Sequence, residues 1–227
     1  MKTWAQSAGV YLERRVVVIL VLGFSSGLPL LLVYSTLSAW LLEAGVSKTM
    51  IGLFSWASIA YTFKFLWSPV VDRAPLPILT RVFGQRRGWL LVSQGAVIAA
   101  ILGLGSSDPG RDLAGVAFWA LVLAFASATQ DIVIDAYRIE SLDEDQLGAG
   151  AGNYVLGYRI AMLAAGGGAL IVADAAGWAA AYGLMAVLMG VGVAAVLAAP
   201  EPERRRTPES IEQDRRVVAF VERNPRL

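Results

Sequence analysis

The sequence contains neither cysteine nor histidine. Without cysteine there can be no disulfide framework and no thiolate ligand, and without histidine the commonest metal-binding and acid–base side chain is missing. We therefore expect no metal site and no cofactor, and an enzyme is disfavoured because no nucleophile is paired with a base. The net charge of +1 gives no indication of nucleic-acid binding, and no nucleic-acid partner is expected.

Charge is also scarce in this chain. Only 16% of the 227 residues are charged and 56% are hydrophobic, which is more apolar surface than a water-soluble core could bury. The charges lie mainly between apolar runs of about 20 residues, the length that crosses about 30 Å of hydrocarbon as a helix. The sequence shows no sustained alternation of the kind that marks a membrane β-barrel. The composition therefore predicts an all-α, polytopic membrane protein with lipid as a partner.

Six apolar runs are long enough to be membrane spans. The first follows Arg14 and Arg15, is longer than the apolar part of a signal peptide and has no clear cleavage site, so we expect it to be retained. Residues 1–200 are predicted to form a six-helix transmembrane bundle, and residues 201–227 a charged cytoplasmic linker or tail. Within the tail, residues 208–222 fit either an amphipathic helix on the membrane surface or a disordered segment. The predicted spans are residues 16–42, 50–71, 89–105, 113–137, 154–173 and 178–199.

Basic residues are distributed unequally between the two sides of the predicted bundle. Since Lys and Arg are retained preferentially in the cytoplasm, the richer side is predicted to be cytoplasmic. Both termini then lie in the cytoplasm, and short external loops are expected near residues 43–49, 106–112 and 174–177. The richer side carries Lys2, Arg14, Arg15, Arg73, Arg81, Arg86, Arg87, Arg138, Arg204, Arg205 and Arg206, and the other carries only Lys48 and Arg111.

The fourth predicted span contains ionisable side chains, which cost several kcal/mol in a membrane unless they are paired or hydrated. Gln130 and Asp131 are followed by Asp135 and Arg138. The spacings of four and three residues place the two carboxylates and the guanidinium on one face of the helix. These four residues are therefore candidates for a site that binds a substrate or protons.

Two cations are predicted at a similar depth in other spans, Lys64 in the second and Arg159 in the fifth. With the two carboxylates they would form a charge-balanced cluster that exchanges protons as its partners move. The alternative is that both cations extend to the interface while Asp135 and Arg138 pair at a helix end. Asp131 is the strongest single candidate, because it lies deeper and its short side chain cannot easily reach water.

Two further groups of residues are candidates for a conformational role in transport, one in the first span and one after the second. In the first span, Ser25, Ser26, Gly27 and Pro29 supply hydroxyls and a local break in the backbone hydrogen bonds, as in helices that line a transport cavity. A simple proline kink explains these residues equally well.

After the second span, an acidic helix end is followed by a basic turn. Such charges can form ion pairs that differ between two conformations and so act as a gate. Charges that only fix the topology are the alternative. The residues of this predicted gating loop are Asp72, Arg73, Arg86 and Arg87.

Five stretches together carry a family-specific pattern: residues 24–30 (FSSGLPL), 64–73 (KFLWSPVVDR), 86–89 (RRGW), 130–138 (QDIVIDAYR) and 157–161 (GYRIA). In these stretches the chain resembles the major facilitator superfamily, and more particularly the AmpG-type muropeptide permeases. The resemblance implies proton-driven import of anhydro-muropeptides across the bacterial inner membrane for peptidoglycan recycling, with the first and fourth helices lining the cavity. Acetyl-CoA transporters are the nearest competing family, so a permease for another organic solute, such as an acyl-CoA, is an alternative.

The resemblance also implies a second half. Transporters of this superfamily have two six-helix halves, so a complete cavity needs a second six-helix half or a homodimer partner. We expect the chain to be a fragment, a split-gene subunit or a half that dimerises. A membrane assembly or interaction protein without transport is the alternative. The interval between Asp72 and Gly84 is longer than in the compact superfamily motif, which leaves the geometry of the gate open.

The charge distribution predicts that reporter fusions at Ala44, Asp108 and Ala176 all lie outside the cytoplasm. Alkaline phosphatase should be active at these three positions, and a cytoplasmic reporter should be inactive there. Cytoplasmic signals at any two of the positions contradict the predicted topology.

Overall fold

The structure, a computed structural model, describes residues 9–203, and these residues are almost entirely helical. The predicted tail from residue 204 onward, with the candidate amphipathic helix at 208–222, lies outside the described residues. The helices are α1 (Arg14–Glu43), α2 (Lys48–Phe54), α3 (Ser58–Phe63), α4 (Ser68–Arg73), α5 (Leu79–Phe83), α6 (Gln85–Gly105), α7 (Leu113–Ser141), α8 (Leu147–Ala176) and α9 (Trp178–Ala198).

Five of the described helices, α1, α6, α7, α8 and α9, are long and apolar enough to cross a membrane. They correspond to the first, third, fourth, fifth and sixth predicted spans. The largest difference is at α8, which begins at Leu147 and not at residue 154. Its glycine-rich start includes Gly150, which packs against the loop before the helix, since a Cβ at Gly150 would lie 2.1 Å from Cδ1 of Leu142.

The second predicted span, residues 50–71, is a series of short helices. α2, α3 and α4 are joined by 3-10 turns at Ser55–Ala57 and Lys64–Leu66. Serine side chains compete for backbone hydrogen bonds, and the Ser68 hydroxyl donates to the carbonyl of Phe65 at 3.1 Å. The segment nevertheless packs along α7, where the Trp67 ring lies 5.3 Å from that of Phe125. It therefore takes the place of the remaining helix in the expected all-α six-helix bundle.

Helices α1 and α8 approach each other at glycines. A Cβ at Gly23 or Gly27 would lie 2.3 or 2.5 Å from the carbonyl oxygen of Tyr154 or Tyr158, and a Cβ at Gly157 would lie 2.0 Å from that of Leu20. Small residues allow such close backbone contact between membrane helices. Gly27 therefore has a structural role, because it allows α1 to pack closely against α8.

α1 remains helical through the residues where the sequence predicted a break. The α-helix continues across Gly27 and Pro29, and the irregularity comes afterwards, as a π-helical turn at Leu32–Thr36. Proline lacks the N–H of a helical hydrogen bond, so a local adjustment next to it is expected. Pro29 cannot donate to the carbonyl of Ser25, so one helical hydrogen bond is missing within the predicted stretch, while the change in helix geometry comes about one turn later.

A second π-helical turn occurs in α8 at Ala164–Gly168, directly beside the first. The hydroxyl of Thr36 in the first turn donates a hydrogen bond of 2.6 Å to the carbonyl of Ala165 in the second. Single π turns leave carbonyls available for other partners and occur frequently at functional sites. The two irregular turns thus bond to each other within the interior of the bundle.

The contact between α1 and α8 predicts unequal effects of two glycine substitutions. Gly157→Ala should lower the thermal unfolding temperature in detergent by several degrees, because the methyl group overlaps the backbone of Leu20. Gly183→Ala in α9 is the matched control, since its Cβ meets nothing within 4 Å and alanine favours helix. Equal unfolding temperatures for the two variants contradict the packing described here.

Candidate functional site

The carboxylate of Asp131 lies inside the bundle on α7 and contacts two neighbouring segments. Its Oδ1 accepts a hydrogen bond of 2.5 Å from the Ser26 hydroxyl of α1, and its Oδ2 lies 4.0 Å from Nζ of Lys64. The Ser26 hydroxyl is also 2.8 Å from the hydroxyl of Tyr154 on α8. Because Ser26 has a single proton, it donates to Asp131 and accepts from Tyr154.

The second carboxylate, Asp135, lies one turn further along α7. Its Oδ2 is 4.0 Å from the same Lys64 Nζ, and its Oδ1 is 3.3 Å from Nη2 of Arg138. The Arg138 guanidinium lies over the ring of Tyr154, 5.1 Å from its centroid. We call the following residues the carboxylate cluster: Ser26, Lys64, Asp131, Asp135, Arg138 and Tyr154.

The carboxylate cluster contains two cations and two carboxylates, and its members differ in how far this half of the bundle buries them. The side chains of Lys64 and Asp135 are 34% and 45% exposed, whereas that of Asp131 is 15% exposed. Lys64 is at the outer limit of ion pairing with both carboxylates, so neither holds it tightly. The arrangement suits a lysine that changes partners and a carboxylate that exchanges protons through its more exposed neighbour.

Tyrosines near the carboxylate cluster were not identified as site residues from the sequence. The rings of Tyr154 and Tyr158 lie 6.1 Å apart, and those of Tyr34 and Tyr61 lie 6.3 Å apart. The signal in the sequence was the spacing of four residues between Tyr154 and Tyr158, which places both on one helix face.

Gln130 points into the core and not toward the carboxylate cluster. Its Nε2 donates to the Ser25 hydroxyl at 3.1 Å, and Nε2 of Gln94 on α6 donates to the same oxygen at 3.2 Å. The Ser25 hydroxyl lies 3.5 Å from the sulfur of Met189 on α9. Within residues 9–203, Oε1 of each of the two glutamines is buried without a hydrogen-bond partner. Ser25 and Gln130 thus join four helices in an internal polar network.

Arg159 lies apart from the carboxylate cluster. Its side chain is exposed, and its Nη1 is 4.0 Å from the sulfur of Met162. In the described part of the chain, no ion pair joins it to Asp131 or Asp135. The predicted depth of Arg159 did not indicate the direction of its side chain, which contacts Met162 on its own helix.

The predicted gating loop supplies two members of a second charged cluster, Asp72 at the end of α4 and Arg86 in the first turn of α6. The guanidinium of Arg86 is bonded to Asp72 at 2.6 Å, and to the two oxygens of Glu140 at 2.7 and 2.9 Å. Arg86 is only 7% exposed, so its charge needs a carboxylate partner, and the two carboxylates together accept hydrogen bonds from three of its nitrogens. We call Asp72, Arg86 and Glu140 the gate triad. Glu140, at the end of α7, was not identified from the sequence.

The other two arginines of the predicted gating loop lie elsewhere. Arg73 is exposed at the end of α4. Arg87 donates from Nε to the carbonyl of Val196 at 2.9 Å and from Nη2 to that of Leu197 at 3.0 Å. These carbonyls are in the last turn of α9, where an arginine can satisfy groups that the helix leaves unbonded. Arg87 therefore connects the start of α6 to the end of α9.

A protein-family comparison agrees with this architecture. Residues 12–226 match the family model described as Major Facilitator Superfamily. The chain belongs to the major facilitator superfamily. The match covers the carboxylate cluster, the gate triad and all five of the described membrane helices, so both clusters are features of a superfamily member.

Individual relatives within the superfamily are also similar. The anhydromuropeptide permease of Escherichia coli K12 is 44% identical over 211 residues, which is 92% of this chain and 42% of the relative. AmpG 4 of Rickettsia felis is 33% identical over 196 residues, covering 86% of this chain and 47% of the relative. AmpG 3 of Rickettsia typhi is 35% identical over 195 residues, which cover 86% of this chain and 46% of the relative. The chain thus spans less than half the length of these relatives.

Proposed function

We propose that the chain forms one half of a proton-coupled secondary transporter that imports anhydro-muropeptides for peptidoglycan recycling. The observation that carries this proposal is the carboxylate cluster, in which Asp131 is held within the membrane by Ser26 and Lys64. Membership of the major facilitator superfamily and the name of the Escherichia coli relative support the solute and the reaction.

The carboxylate cluster has the chemistry to bind a solute of this class. Lys64 and Arg138 can bind carboxylates of the peptide, and Asp131 and Asp135 can bind an ammonium group or accept hydrogen bonds from sugar hydroxyls. The nearby tyrosine rings offer flat apolar surfaces with a hydroxyl at the edge. A small glycopeptide, which carries a sugar ring and both kinds of charge, matches these groups.

The shared lysine supports proton coupling. When a solute carboxylate attracts Lys64, Asp131 loses its ion pair and becomes easier to protonate. The proton on Asp131 then crosses with the solute, and the return of Lys64 to Asp131 after solute release expels the proton. Asp135, which is more exposed, provides the relay between Asp131 and water. One solute and one proton move together in each such cycle.

The orientation and a second half complete the proposal. The end of the bundle that carries Arg14, Arg86 and Arg138 is cytoplasmic, in accordance with the positive-inside rule, and the membrane is the bacterial inner membrane. The cavity is closed by a second six-helix half or by a second copy of this chain. Large apolar side chains such as Trp56 and Leu163, which are 67% and 75% exposed, suit contact with that partner or with lipid.

Asp131→Asn should abolish proton-driven uptake while leaving solute binding largely intact. The chain is reconstituted with its complementary half, and uptake of labelled anhydro-muropeptide is measured with an inward proton gradient. The asparagine retains a hydrogen-bond acceptor for Ser26 but cannot exchange a proton. Solute exchange across the membrane without a gradient should continue, because that process needs no net proton movement.

Asp174→Asn is the matched control, since the same chemical change is made at an exposed aspartate of α8. It should accumulate solute as the wild type does. Wild-type accumulation by Asp131→Asn removes Asp131 from the coupling mechanism. A purely structural ion pair predicts instead a lower unfolding temperature in detergent and an unchanged pH dependence of the remaining transport.

A further inference from the structure

The segment after the last helix reaches back to the start of α6. The carboxylate of Glu201 accepts hydrogen bonds from the backbone N–H groups of Arg86 at 2.7 Å and Arg87 at 3.0 Å. These are N–H groups in the first turn of α6, which have no partner within the helix. The residue at the N-cap position is Gly84, which has no side chain that could bond to them.

Gly84 also makes room for this carboxylate. Its φ of 91° lies in the region that favours glycine, and a Cβ there would be 2.3 Å from Cδ of Glu201. A capping side chain normally comes from the N-cap residue itself. Here the cap is supplied by a residue 115 positions away in the sequence, so it links two distant parts of the chain.

The link is reciprocal. While Glu201 bonds to the N–H groups at the start of α6, the side chain of Arg87 bonds to the carbonyls of Val196 and Leu197 at the end of α9. The segment after α9 thereby satisfies N–H groups at the start of α6, and Arg87 of α6 satisfies carbonyl groups at the end of α9. The carboxylate also lies at the positive end of the α6 dipole and the guanidinium at the negative end of α9, which favours both contacts.

The capped turn contains Arg86, the central residue of the gate triad. The same carboxylate that binds the Arg86 N–H therefore fixes the backbone from which its guanidinium extends to Asp72 and Glu140. Gln85 in this turn also donates to the carbonyl of Ala74 at 2.8 Å. The end of α4 is thus held by side chains whose backbone the Glu201 cap positions.

We infer that Glu201 is a positioning residue for the gate triad, and that it couples the segment following α9 to the pairing of Arg86 with Asp72 and Glu140. A movement of that segment withdraws the cap, frees the first turn of α6 and weakens the hold on the end of α4.

Hydrogen–deuterium exchange of the purified chain in detergent tests this inference without any requirement for transport. In Glu201→Gln, the amides of Arg86 and Arg87 should exchange about tenfold faster or more, because a charged acceptor is lost from otherwise unbonded N–H groups. Exchange in residues 72–76 should also rise, since Ala74 is held through Gln85. The control Glu203→Gln, an exposed glutamate of the same segment, should match the wild type at both places.

A conservative variant separates positioning from general destabilisation. Glu201→Asp keeps the charge on a shorter side chain and should give exchange between that of the wild type and that of Glu201→Gln, so it also provides a test if the glutamine variant does not fold. Unchanged exchange at Arg86 and Arg87 in these variants overturns the inference. Faster exchange at Arg86 and Arg87 together with unchanged exchange in residues 72–76 also overturns the inference, because the cap would then not affect the end of α4.

Discussion

A carboxylate inside a membrane bundle must be paired, and the pairing of Asp131 determines how three parts of this protein meet. Ser26 reaches Asp131 from α1, Lys64 reaches it from the second-span segment, and Tyr154 joins through Ser26 from α8. These contacts need α1 to lie close to α8. The glycines at that contact, Gly23 and Gly157 among them, allow the approach.

Neighbouring residues connect this pairing to the core. Ser25 and Gln130 bond to each other in the interior, while the next residues, Ser26 and Asp131, bond to each other in the carboxylate cluster. Two adjacent side chains of α1 are therefore hydrogen-bonded to two adjacent side chains of α7, one pair in the core and one in the carboxylate cluster. Because α7 also carries Glu140 of the gate triad, one helix connects the carboxylate cluster to that triad.

Features set by a single helix could be predicted from the sequence, whereas those that depend on packing between helices could not. The grouping of Asp131 with Asp135 on one face follows from the helical period alone. The direction of Arg159 depends on how α8 is rotated, which its depth in the membrane does not reveal. Glu140 and Glu201 follow the fourth and sixth predicted spans, and only the fold brings their carboxylates to the start of α6.

The central claim, that Asp131 gains and loses a proton as solute binds, can be measured directly by counting protons. Solute is mixed with the assembled transporter in weakly buffered detergent solution that contains a pH-sensitive dye, and binding is followed in parallel by calorimetry. The account predicts that the wild type takes up protons on binding, whereas Asp131→Asn binds the solute with no proton uptake. Equal proton uptake by the two proteins at equal solute binding would contradict it.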